Sequence, residues 1–346
     1  MALFSKDPKK SLGIDVGTTS IKVVELLQKE EGISLNNYGI ASVKDITGKK
    51  MRTKSDGTGA FTSLTAIAET VEAILKEAKI KSKRSVFSIP DHSSFFTSFR
   101  VPKMKKSEVE SAIQFQARQR VPLPLNEVTL DWQLTNVSEK NGEEMVEVLL
   151  LAVPNDAIRS YRGIAQKAGL EVGSLDAGAF GLARVYGEDG KTIVVVDVGD
   201  QTTTVNIIEN EIPKYSHALD IAGKDFTEDI AILPEVDYNE NEEEIASRVP
   251  RKIRKSLSED LVNKVKEVCE NYQRESEKEI DRVIITGGGA NLEDVRDHFS
   301  ENFSASVADP FEKLIYPDVL EPITDEISPL FSVAIGMALQ GLKDKK

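Results

Sequence analysis

The chain predicts an α/β fold of two similar lobes that face each other across a cleft. One short pattern occurs twice, as GIDVGTTSIKVVEL at 13–26 and VVVDVGDQTTTVNII at 194–208. In each copy an apolar run meets Asp-Val-Gly, then hydroxyl-bearing or acidic residues, then a second apolar run. That is the pattern of a β-hairpin whose turn holds an acid and a glycine. A further apolar strand, RVIIT at 282–286, meets Gly287, Gly288 and Gly289 and then a helical pattern. Strand and helix patterns alternate between these landmarks, as sheets covered by helices require.

The elements follow in order. Residues 11–27 and 33–43 read as strands, with Glu30, Glu31 and Gly32 as the turn, and the polar, glycine-bearing 46–60 reads as a loop. Over 62–79, Leu64, Ile67, Ala68, Val71, Leu75 and Ala78 recur at helical spacing. A strand at 85–90 is closed by Pro90. A separate unit then begins. It has a strand at 95–101, a helix through Arg120 capped by Ser107 with Glu110, and paired strands at 128–135 and 145–153. A helix at 156–168, stopped by Gly169, ends the unit. This β-α-β-β-α order predicts an inserted subdomain over 91–172. Residues 174–186 predict a helix leading into the second hairpin. Residues 222–278 read as charged and largely helical, with an amphipathic helix at 258–276, and helices at 292–303 and 328–341 close the chain. The lobes are expected at 10–90 with 173–190, and at 191–221 with 280–342. A helical subdomain is expected at 222–279.

The 346 residues suffice for two domains. A net charge of −13 argues against a nucleic-acid partner. The acid is uneven: 225–247 holds no Lys or Arg, whereas Lys6, Lys9 and Lys10 make the N-terminus mildly basic. Both runs read as solvated surface. Cys269 is the single cysteine, so no disulfide forms within the chain, which fits a reducing cytoplasm. No run of about 18 apolar residues predicts a membrane-spanning helix, and MALFSKDPKK lacks an apolar signal core. Action at a membrane would need another protein to bring this one there.

The repeated turns carry the chemistry. Gly17 and Gly199 let backbone approach phosphate oxygens, and Thr18, Thr19, Thr202 and Thr203 offer hydroxyl and amide donors. Asp15 and Asp197 cannot bind phosphate directly. They suit the waters of a Mg²⁺ ion bridging the phosphates of a nucleotide. Lys22, on the returning strand, is placed to reach the β- and γ-phosphates as a point charge. Gly287, Gly288 and Gly289 stand between a strand and a helix, where backbone approaches a nucleotide. An Asp before Gly is often only a turn former, and the second copy is what favours function over that bland reading. No G-x-x-x-x-G-K-[ST] occurs, which excludes a Walker-type phosphate loop.

In this order the motifs resemble the actin-like ATPase superfamily over nearly the whole chain. GIDVGTTSIK and VVVDVGDQTTT are similar to its phosphate hairpins and VIITGGGANLEDV to its adenosine motif. SLDAGAFGLA and SPLFSVAIGMAL are similar to its two connecting helices, and LDIAGKDFTEDIAIL to the entry into its second large lobe. The resemblance implies an actin-like ATPase fold, two lobes of duplicated RNase H-like subdomains, with ATP and Mg²⁺ in the cleft. It also implies nucleotide contact at Gly223 and a water-orienting acid on the first connecting helix. The matching position is Asp176, whose bland alternative is a helix cap; Asp200 is a second candidate for positioning water or metal.

The insert resembles the FtsA/PilM branch, and SIPDHSSFFTSFRVPKMKKSEVESAIQFQARQRVPLPLNEVTLDWQL is similar to the PilM family in detail. FtsA proteins usually end in an amphipathic membrane helix after a linker. This chain ends at GLKDKK, which favours the PilM side. That side implies a cytoplasmic component of a type IV pilus or type II secretion platform, peripheral to the inner membrane. It would dock the N-terminal cytoplasmic peptide of a PilN-like partner near 96–101 and 107–120, with Phe95 and Phe96 as groove or core. Further contacts with pilus platform or motor proteins and self-association are in scope, and hydrolysis need only be slow. The rivals are an FtsA-like division filament protein and an actin-superfamily small-molecule kinase. Two departures stand out: Ala222-Gly223 replaces a usual Gly-Gly, and Pro250 interrupts the stretch (242–258) that would carry ribose contacts.

Overall fold

The computed structural model describes residues 9–42, 64–140, 142–226 and 251–343. The 46–60 loop, and the acidic stretch from 227 onward, lie outside the described residues.

The first lobe starts with an antiparallel meander, β1 (Lys10–Val16), β2 (Ser20–Gln28) and β3 (Ile33–Ser42), followed by α1 (Leu64–Glu77) and β4 (Arg84–Ile89). The insert follows as β5 (Phe95–Pro102), α2 (Lys106–Arg120), β6 (Val128–Lys140) and β7 (Glu143–Pro154). The chain then returns through α3 (Asn155–Lys167) and β8 (Glu171–Ala177) to α4 (Gly178–Tyr186). The second lobe repeats the scheme. A meander of β9 (Thr192–Val198), β10 (Thr203–Glu209) and β11 (Ile212–Leu219) leads to α5 (Arg251–Ser276), β12 (Arg282–Thr286), α6 (Glu293–Asn302) and β13 (Ala305–Val307). Two more helices, α7 (Glu321–Ile327) and α8 (Ser332–Lys343), end the described chain. The sheets have matching orders, β3-β2-β1-β4-β8 and β11-β10-β9-β12-β13, and the insert has its own sheet, β5-β7-β6. The duplication read from two hairpins therefore extends to whole lobes.

Burial explains the layering. Leu12, Ile14, Ile21 and Val23 point from the first sheet onto α1 and α3. Val194, Val196, Val205 and Ile207 point from the second onto α5 and α6. The remaining faces, with Val24, Val86, Val195 and Ile284, meet α4 and α8 in a shared middle layer. The strands β2, β4, β9, β10 and β12 thus alternate between two apolar environments, which is why they read as near-continuous apolar runs. The connecting helices α4 and α8 cross at glycine: a Cβ on Gly336 would lie 2.2 Å from the Gly181 carbonyl oxygen. That contact brings the two helix backbones together where any side chain would hold them apart.

Several expectations are corrected. The helix predicted over 174–186 is a strand up to Ala177, and only from Gly178 is it helical. The segment Glu171–Ala177 is claimed by parallel pairing with β4. The strand β11 had no counterpart in the sequence reading. The helix α3 packs Tyr161, Ile164 and Ala165 into the first-lobe core. The insert's own core instead gathers Phe99, Val101, Ile113, Ala117, Val148 and Leu150, so the packing unit ends near Pro154 rather than at 172. Helix α2 has Lys105 as its N-cap, two residues before the expected Ser107, and its start is closed by Glu108, which accepts the Lys105 backbone N–H at 3.2 Å, rather than by Ser107 and Glu110.

Candidate functional site: a cleft between two hairpin turns

The turns after β1 and β9 have one geometry. Gly17 N–H donates to the Ser20 carbonyl and Gly199 N–H to the Thr202 carbonyl, each at 3.1 Å. A Cβ on Gly17 would lie 2.9 Å from the Ser20 oxygen, and one on Gly199 would lie 2.8 Å from the Thr202 oxygen. The glycines are therefore required by the closeness of the returning strand. The register sets Asp15 opposite Lys22 and Asp197 opposite Thr204. Both turns line one cleft between the lobes, together with Lys22, Gly287 and Gly288 and the Pro329–Val333 stretch.

Of the sequence-predicted residues, Asp15, Gly17, Thr18, Thr19, Lys22, Asp197, Gly199, Asp200, Thr202, Gly287 and Gly288 line this cleft. Three support it from behind. Thr203 is buried in β10. Gly289 packs on Val198 so closely that a Cβ would sit 2.2 Å from that side chain. Gly223 donates its N–H to the Gly199 carbonyl at 2.8 Å, and Lys224 does the same to Asp200, so this segment braces the second turn. Gly287 has φ +81°, and a Cβ there would meet the Asp197 carboxylate at 2.4 Å.

Asp176 is not among the lining residues. It stands near the end of β8, ion-paired with Arg184 one helical stretch further on, and accepts the Ala177 N–H at 3.1 Å. Burial raises its pKa, and the Arg184 guanidinium opposes that rise. Held by Arg184 and the Ala177 N–H and outside the cleft lining, this carboxylate is not placed to orient water there, so the expectation for Asp176 is corrected. The bland alternative, a helix cap, is corrected too, because α4 starts after Ala177.

Asp91 was missed. It follows Pro90 at the end of β4, lines the cleft and accepts the Ala179 N–H at 3.0 Å from the start of α4. Burial pushes it up to about 7, and the negative charges of Asp197, Asp15 and Asp176 add to the rise. Its local sequence, PDHSS, looks like an ordinary turn, so no short-range signal marked it.

The two paired acids differ. Ser88 Oγ donates to Asp15 at 2.5 Å. Asp197 is pushed up to about 6 by burial first and then by Asp15, while Lys22 pulls it down. Among the described residues no three His, Cys, Asp or Glu side chains converge as a metal cage. A divalent ion here would take most of its ligands from water and phosphate, the habit of magnesium. Paired carboxylates, one ammonium and two glycine turns with open amides have the chemistry for that arrangement.

Two like-ordered sheets that share a middle layer and close a cleft with matched Asp-Val-Gly turns define the actin-like fold. Within it, the family profile for type IV pilus assembly protein PilM matches residues 13–342, and the chain belongs to that family. The structure of a PilM-PilN type IV pilus biogenesis complex is similar with a TM-score of 0.78 and 23% identity, covering 96% of this chain and 99% of that one. The ethanolamine utilization protein EutJ from Carboxydothermus hydrogenoformans gives 0.56 and 16%, covering 96% and 90%. The cell division protein FtsA of Enterococcus faecalis is 22% identical over 354 residues, covering 86% of this chain and 77% of its own. No described helix is long and apolar enough to cross a membrane.

Proposed function

We propose that this PilM-family protein binds Mg-ATP between its lobes and works as a cytoplasmic adaptor of a type IV pilus assembly platform. It would hold the cytoplasmic N-terminal peptide of a PilN-like inner-membrane protein. The observation that carries the nucleotide reading is the convergence of Asp15, Lys22 and Asp197 on one cleft through two turns of equal geometry. The turn amides and Lys22 would take the phosphates, and the bound magnesium would supply charge neutralisation between them. Gly287 and Gly288 would let backbone face the nucleoside.

The partner reading rests on the family and on the insert's placement. Phe96 of β5 packs edge-on against Phe180 of α4 at 5.6 Å, so the insert is joined to the first lobe beside the cleft. Phe95 belongs to the insert core, which leaves the exposed Phe115 of α2 as the free apolar side chain of the expected docking stretch. The insert also reaches the second lobe: Lys214 of β11 pairs with Glu147 of β7 at 2.6 Å, both largely buried. A nucleotide that draws the lobes together would change this contact, and with it the docking surface. Titration calorimetry with Mg-ATP tests the site, paired with pull-down by the partner's cytoplasmic peptide with and without nucleotide. Binding is expected in the parent and lost in the Asp15→Ala, Asp197→Ala double variant. Undiminished binding in that variant would sink the assignment.

A further inference from the structure

We infer that Asp91 accepts the proton of the water that attacks the terminal phosphorus of the bound nucleoside triphosphate, an inference that rests on the nucleotide reading above. The position comes from the sequence outward. Pro90 ends β4, the strand beside β1 in the middle of the first sheet, and Asp91 opens the short 3-10 turn Asp91–Ser93. The side chain is thereby delivered to the cleft wall that carries Asp15 and Lys22.

Its anchoring suits the task. One carboxylate oxygen, Oδ1, accepts the Ala179 N–H, and a Cβ on Gly178 would lie only 3.4 Å from that oxygen. The carboxylate is thus seated against the first turn of α4, with its direction fixed. No other protein hydrogen bond reaches it among the described residues, so the second oxygen remains an acceptor for water.

Two neighbouring acids are committed elsewhere: Asp15 takes the Ser88 hydroxyl and Asp176 is bound to Arg184, while Asp197 feels the Lys22 ammonium. Asp91 feels the charges of Asp197 from β9, Asp15 from β1 and Asp176 from β8, and Lys22 and Asp200 line the same cleft. It is half-buried, and burial with the neighbouring acids raises its pKa above the ordinary carboxylate range, which favours acceptance of a proton.

The step balances. The water oxygen forms a bond to the γ-phosphorus as the bond from that phosphorus to the β,γ-bridging oxygen breaks. The electron pair leaves with the diphosphate, and the water's proton passes to the Asp91 carboxylate and from there to solvent.

Full-length parent, Asp91→Asn and Asp91→Glu proteins are compared by calorimetry with Mg-ATP and by single-turnover phosphate release across pH. The parent rate is expected to rise with pH, because the acceptor works only when deprotonated. Asp91→Asn keeps an oxygen for the Ala179 N–H. It should bind Mg-ATP as the parent does, release phosphate about 100-fold more slowly and lose the rising limb. Asp91→Glu should recover part of the rate and the limb. Phosphate release by Asp91→Asn at the parent rate, or a parent that binds Mg-ATP and releases no phosphate, overturns the inference and leaves the binding site standing. A parent that binds no Mg-ATP removes the nucleotide reading itself, and this inference with it.

Discussion

Asp15 and Asp197 stand at equivalent points, each one residue before the end of its strand and two before the turn glycine, yet the protein surrounds them differently. The first lobe gives its acid the Ser88 hydroxyl from β4 at 2.5 Å. In the matching strand of the second lobe, β12, Thr286 turns away and donates to the Pro329 carbonyl at 2.8 Å, holding the segment before α8. The Asp197 carboxylate therefore receives no protein hydrogen bond among the described residues and is pushed up to about 6. Duplication copies a backbone, but the partners of each acid come from strands whose sequences have diverged. The consequence is one acid already satisfied and one that waits for a cation or for water.

The contact between lobes that should respond most to damage is Lys214–Glu147, because it ties the insert to β11 with both groups largely out of solvent. Thr135 also donates to the Glu147 carboxylate at 3.1 Å, so Glu147 stays fixed when the lysine is removed. Lys214→Met is expected to cost about 3–5 kcal/mol, since it strands a buried carboxylate. Lys214→Met with Glu147→Leu, which removes both charges, should recover much of that loss. Chemical denaturation of the four proteins of the cycle checks this. An additive cycle would mean that the two side chains do not act as a pair.

The crossing of the connecting helices gives a smaller and asymmetric effect. A Cβ on Gly336 would meet Gly181 backbone at 2.2 to 2.5 Å, whereas one on Gly181 would first meet the end of the Met337 side chain at 2.8 Å. Backbone cannot yield as a methionine can. Gly336→Ala is expected to destabilise by about 3 kcal/mol and Gly181→Ala by about 1 kcal/mol, read from denaturation midpoints. Equal losses would show that the helices slide apart as a unit.

Legibility followed the range of the interactions. The hairpins were readable because Asp15, Gly17 and Lys22 act within one turn, and the same holds for the second copy. The strand β8 was not, because EVGSLDA shows no alternation and all but its last residue are only partly buried or exposed. It is a strand because β4, far earlier in the chain, pairs with it. That single misreading moved Asp176 onto a helix and toward the water. The edge strand β11 hid for a related reason: IPKYSHAL buries only Pro213 and Leu219, so its apolar signal is thin. Asp91 was invisible because the N–H that fixes it comes from Ala179, 88 positions on.

The difference between the paired acids is open to a direct test by pH. A carboxylate whose folded pKa lies near 6, above its ordinary value of 3.8, makes the folded protein hold more protons than the unfolded chain between those values. Stability then falls as pH rises through that window and levels off above it. Asp197→Asn lacks this fall, so relative to the parent it should gain about 2 kcal/mol on going from pH 4 to pH 8 in nucleotide-free buffer. Asp15→Asn acts by a different route, because it leaves Ser88 facing an amide and takes one negative charge away from Asp197. It should lower the pKa of Asp197 and shrink the parent's fall without abolishing it. Thermal melts at closely spaced pH values check both variants. If the two asparagine variants flatten the profile equally, the acids titrate as one pair, and the Ser88 hydrogen bond does not distinguish the lobes.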